Sequence, residues 1–211
     1  MVQAANSSIL LFNSASTTSP AEHSFNQCFD YAILLWGKDM ELHSNLYYRH
    51  ADAQIMSKLD RLFEEHRGDS DKFIALACDI NPEHGAELAR EILETVDNIE
   101  FDLGPELLYP IEGYSIAHFV HGSSGDEFIE AILFFLKALA PSIHAQAWGC
   151  GDDDPWEFWF KFEGDELLRE DDEPFNDPEE DEEIKANIYT WWHAGLPQQI
   201  KEGFLNENVE Q

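Results

Sequence analysis

Apolar residues first recur at helical spacing at Phe25, Cys28, Phe29, Ala32, Ile33 and Trp36. Ser24 and Gln27 form a capping-box pair in front of them and Gly37 follows as a stop, so the run predicts a helix. The stripe Ile55, Leu59, Leu62 and Phe63 predicts a second helix over roughly 45–67, ended by Gly68. Residues 72–79 are short and apolar on both faces, the pattern of a buried central strand, and Asn81-Pro82 breaks the run. Leu88, Ile92 and Val96, beside Ala89 and Leu93, place a helix over about 83–96. Ile99, Phe101 and Leu103 alternate with polar neighbours as a half-buried strand does, and Gly104-Pro105 opens a connection.

Alternation returns at 114–121, with Tyr114, Ile116, His118 and Val120 on one side. Ser124 and Glu127 make a second capping box, and the helix behind them runs to about 140, where Pro141 ends it. Its apolar positions go most of the way round, which predicts deep burial. Residues 143–148 read as a strand, and 156–163 as the clearest strand of the chain. There Trp156, Phe158, Phe160 and Phe162 share one face, while Trp159 stands with Glu157, Lys161 and Glu163 on the other. Between these strands, 149–155 reads as a hairpin tip bearing Asp152, Asp153 and Asp154.

From residue 72 the order is strand, helix, strand, strand, helix, strand. That order predicts an α+β, ferredoxin-like βαββαβ antiparallel sheet with its first and third strands central. Strand 156–163 extends the sheet, and N-terminal helices pack on it. Residues 1–20, rich in Ser, Thr, Ala and Asn, read as a flexible arm, and 21–211 as a single α+β domain. Within that domain the core sheet covers 72–163, an acidic loop 164–183 and a C-terminal helical segment 181–205. Ile184, Ile188 and the adjacent Trp191 and Trp192 mark the apolar side of the last helix, with Gly195 at its end.

Charge changes the picture more than composition does. The chain has 44% hydrophobic residues, enough for a real core, yet carries 43 Asp and Glu against 12 Lys and Arg, a formal charge of −31. Residues 152–183 alone hold 17 acids and only Lys161 and Arg169 as bases, about half of the net charge. Such a surface repels nucleic acid and anionic lipid, so neither is an expected direct partner; a basic protein is. No Lys or Arg precedes Lys38 and the apolar run 9–12 is short, so neither a signal peptide nor a membrane span is expected at the start. Cys28, Cys78 and Cys150 are widely spaced, which fits a reducing cytoplasm better than a disulfide framework.

Motifs for catalysis and cofactors do not assemble. Neither acidic cluster has the ligand spacing of a calcium loop, and no H-E-x-x-H is present. His118 and His121, three apart on a strand, fall on opposite faces. Gly122-Ser123-Ser124-Gly125 fails the nucleophile-elbow pattern at Asp126, and Ser124 reads better as a helix cap. Cys150 lies in acidic surroundings that disfavour a thiolate. No phosphate-binding glycine signature occurs. The expectation is therefore no catalytic group, no metal and no cofactor.

The clustered charge leads to an acidic inhibitor or decoy that occupies the basic nucleic-acid-binding surface of a partner such as a nuclease, in the manner of immunity, anti-restriction or anti-CRISPR proteins. Its expected contacts are Asp152, Asp153, Asp154, Trp159, Glu170, Asp171, Asp172, Glu173, Glu179, Glu180, Asp181, Trp191 and Trp192. Two alternatives stand beside it: a general acidic soluble protein, and a small-ligand or enzyme domain using His118, His121 and His144.

Overall fold

The computed structural model describes residues 42–66, 68–98, 103–121, 125–151, 157–172 and 178–201. The arm at 1–20, the helix over 25–36, most of the strand at 99–103, the Ser124 cap, Asp152–Asp154 and Glu173 lie outside these residues.

Strand β1 is Leu42–Arg49, and helix α1 follows at Ala53–Glu65. The expected helix over 45–67 therefore begins eight residues late. Asp52 sets its start, because its carboxylate accepts from the Gln54 N–H at 2.8 Å. The stretch before it, Leu-His-Ser-Asn-Leu-Tyr-Tyr-Arg, is buried on both faces with polar residues on each, so hydrophobic periodicity alone does not reveal it as a strand.

The larger correction falls at 72–79, which is not a strand. It belongs to helix α2, Ser70–Ile80, capped by Asp69 through the Lys72 N–H at 3.0 Å. Phe73, Leu76, Ala77 and Ile80, all buried, sit at the i, i+3, i+4, i+7 positions of one helical face. A short run apolar on both faces fits either element, and here the cap and this stripe decide. Helix α3, Gly85–Asn98, packs against α2 with unusual closeness: a Cβ on Gly85 would sit 2.3 Å from the Ala77 carbonyl oxygen.

Strand β2, Leu107–Ile111, forms a hairpin with β3, Tyr114–His121, where sequence suggested only a connection. Helix α4, Gly125–Leu139, leads to β4, His144–Gly151, and then come β5, Glu157–Glu163, and β6, Glu166–Asp172. Cys150 thus lies within β4, paired with Glu157, and not at a hairpin tip. The acidic segment expected as a loop over 164–183 contains β6 and the start of helix α5, Pro178–His193. Gly164-Asp165 joins β5 to β6, with Gly164 at φ +67°, the left-handed residue a two-residue hairpin loop requires.

The fold is α+β with a six-stranded sheet in the order β2-β3-β1-β4-β5-β6 and every neighbouring pair antiparallel. This is not the ferredoxin-like order. With 72–79 helical, the strand that would have opened the βαββαβ unit is absent from the sheet. Instead β1 sits between the β2–β3 hairpin and the β4–β5–β6 meander, and α4 crosses over it from β3 to β4.

One sheet face carries Leu46, Tyr48, Ala117, Phe119, Ala147, Phe158 and Phe160, and these join Leu59, Phe63, Phe73, Phe128 and Leu133 of the helices in one core. Phe128, Ile129, Ile132, Leu133, Phe135, Leu136 and Leu139 of α4 contribute to it, whereas Phe134 is half exposed beside Phe162. The opposite face, with Asn45, Tyr47, His118, Gln146, Trp148 and Trp159, carries α5.

Candidate functional site

The aromatic residues of the acidic region fasten α5 to the sheet. Trp159 and Trp192 are both fully buried. Trp192 stands edge-on to Tyr47 at 5.2 Å, and its indole N–H donates to the carbonyls of Ala147 (3.0 Å) and Phe160 (3.2 Å). Trp159 meets the Tyr189 ring at 5.6 Å. The charged face of β5 is thus a covered face, and neither indole is available as surface. Trp191 is half-buried; its N–H donates to Glu163 Oε1 at 2.8 Å, and the Lys161 ammonium lies 5.5 Å from its ring centroid.

Glu157 and Lys161, which sequence reasoning did not single out as structural, complete the dock. Glu157 Oε2 accepts from Trp148 Nε1 at 3.0 Å and from the Tyr189 hydroxyl at 3.2 Å. Lys161 donates to the carbonyls of Trp191 (2.7 Å) and Ala194 (3.0 Å), where a cation suits the exposed oxygens ending a helix. The alternation Glu157, Trp159, Lys161 held the signal: charges on one face of a strand read as solvated until a helix is laid over them.

These contacts orient α5. Tyr189 meets Glu157 and Trp159, whereas Trp191 meets Lys161 and Glu163, so the helix runs in the direction of β5. At 1.5 Å per residue its first turns, with Glu179, Glu180 and Asp181, lie roughly 9–16 Å beyond Tyr189, past the Glu157 end of the strand. At that same end β4 stops at Gly151 and β6 stops at Asp172, opposite Glu157. The ends of β4 and β6, the start of β5 and the first turns of α5 thus lie toward the same end of the sheet.

The remaining candidates divide. Glu170 is exposed on edge strand β6. Asp171 is engaged with Arg169, whose Nε lies 2.9 Å from its Oδ2 and whose Nη2 lies 2.8 Å from Asp126, so its charge is locally compensated. A second acidic surface appears that sequence reasoning did not flag. Glu87, Glu91, Glu94 and Asp97 are all exposed and share one stripe of α3.

The histidines are not brought together. His118 Nδ1 lies 3.0 Å from Asn45 Oδ1, and its ring stacks on His43 at 5.7 Å. Burial, and then the charges of His43 and His121, push its pKa down to about 4, so it is neutral at pH 7. His121 points to the other face, 3.0 Å from Ser44 Oγ, with both residues buried in the core. His144 stands at the far end of β4. Among the described residues no group of three His, Cys, Asp or Glu side chains is placed to hold a metal, and no helix is long and apolar enough to cross a membrane. The chain matches no family model, no curated protein and no solved structure.

Proposed function

We propose that this chain is an acidic inhibitor or decoy that binds the basic, nucleic-acid-binding surface of a cytoplasmic partner protein such as a nuclease. The observation that supports it is that the acidic first turns of α5 lie toward the same end of the sheet as the ends of β4 and β6. A partner built to meet the charge density of a duplex would be met by carboxylates in place of phosphates. Attraction between such surfaces gives fast association that weakens with salt. With Trp159 and Trp192 buried, recognition rests on the carboxylates and on the half-exposed Trp191.

The test is affinity capture from a nuclease-treated lysate, washed at low and high salt, followed by titration of the captured protein. A basic nucleic-acid-binding protein, lost at high salt and displaced by competing DNA, is the expected result. Its affinity falls at least tenfold when Asp152, Asp153 and Asp154 become Asn together with Glu179→Gln, Glu180→Gln and Asp181→Asn. Neutralising Glu87, Glu91 and Glu94 leaves it unchanged.

The exposed carboxylates of α3 favour a second reading, a broadly acidic surface that serves solubility. On that reading capture yields only diffuse low-salt background, and neither cluster differs from the other.

A further inference from the structure

At the end of the sheet opposite the acidic helix start lies a cleft of about 360 Å³ whose chemistry is reversed. It opens where β1 stops at Arg49 and β4 begins at His144. Arg49, Lys137, Lys161 and His144 line it, with Tyr114 beside them and Ile143 and Phe162 as apolar wall. No Asp or Glu is among the described residues that line it, in a chain with 43 of them. Three of only 12 Lys and Arg residues gather here.

These cations are not equivalent. Lys161 is held by the carbonyls of Trp191 and Ala194. Lys137 donates to the Gly164 carbonyl at 3.0 Å and meets the fully exposed Asp165 carboxylate at 3.2 Å. Arg49 lies with its guanidinium 5.0 Å from the Tyr114 ring centroid and forms no ion pair among the described residues. Burial, and then the charges of Arg49, Lys137 and His50, hold the His144 imidazole below the ordinary histidine range. The neighbouring carboxylates, Glu163 and Asp165, are engaged with Trp191 and Lys137.

We propose that this cleft binds a small phosphate-bearing molecule, with the Arg49 guanidinium as its anchor and His144 as a second donor. A guanidinium offers a planar fork of donors that matches two phosphate oxygens at once. The volume lies within the roughly 300–1,000 Å³ typical of small-molecule sites, so an organic phosphate fits and its uncharged part lies on Ile143 and Phe162. The charge of −31 makes diffuse anion association unfavourable, so saturable anion binding has to come from a local site.

The full-length chain is titrated with adenosine monophosphate, inorganic phosphate and adenosine by calorimetry near neutral pH. Saturable binding of the monophosphate at one per chain, with none for adenosine, is expected. Arg49→Gln, an exposed position whose change leaves the circular dichroism spectrum unaltered, weakens it at least tenfold. Binding also raises the midpoint of the His144 proton resonances, because an anion beside an imidazole favours its charged form. Inorganic phosphate that binds and shifts His144 alike places recognition in the phosphate group and supports the site. Absence of saturable binding by both phosphates at millimolar concentration overturns the proposal. So does binding that Arg49→Gln and His144→Gln both leave unchanged.

Discussion

His118 shows how much one side chain's surroundings decide. Alternation along β3 is enough to put His118 and His121 on opposite faces, and they are so placed. The sequence does not say that His118 ends beside Asn45 and His43 with a pKa of about 4. In the unfolded chain its pKa returns to the ordinary 6.5, so between these values the unfolded state binds the extra proton. Stability is therefore full above about pH 6.5 and falls as pH drops toward 4, by about 3 kcal/mol for this group. Urea midpoints measured at pH 7.5, 5.5 and 4.5 should show this loss, and His118→Gln should flatten it. At Gly85 the prediction is steric. Ala there brings a Cβ to 2.3 Å from backbone oxygen, which cannot swing aside as a side chain does. Separating α2 from α3 should cost about 1–3 kcal/mol, read as a lower denaturant midpoint with an unchanged slope.

At the scale of elements, the longer helices with a continuous apolar stripe were the most legible. Residues 83–96 and 124–140 differ from α3 and α4 by two residues or fewer at each end. The misread element, α2, carried the same information in Asp69 and the Phe73, Leu76, Ala77, Ile80 stripe, masked by an apolar run short enough for a strand. Helix α5 depends on its dock. Replacing Trp192 with Ala removes a fully buried side chain and two hydrogen bonds, and should cost about 3–5 kcal/mol. Lys161→Met keeps the bulk and removes the cation from the helix end, for a loss of about 1 kcal/mol. Hydrogen exchange should report both as faster exchange across α5, with α4 unchanged in the Lys161 variant.

Across the whole molecule, 43 acids against 12 Lys and Arg cost compactness through self-repulsion. Raising ionic strength from about 0.01 M to 0.1 M shortens the Debye length from roughly 30 to 10 Å and relieves that repulsion. The thermal midpoint should therefore rise with sodium chloride, as differential scanning calorimetry can establish. A flat response would mean that the carboxylates are already compensated within the fold. The same salt series weakens binding to a basic partner, so stability and association move in opposite directions, which separates the two effects of charge.

By itself the sequence determined the α+β class, most element positions after residue 104, the concentration of acid at 152–183 and the opposed faces of His118 and His121. These follow from local rules of period, cap and composition. Only the tertiary structure decided the strand order, because a strand's neighbours depend on long-range pairing that no local pattern encodes. It also decided that Trp159 is core, since a residue on the charged side of a strand is buried or exposed according to what packs over it. The cationic cleft belongs to the same kind: Arg49, Lys137, His144 and Lys161 are scattered along the chain and meet only where three strands and a helix end together.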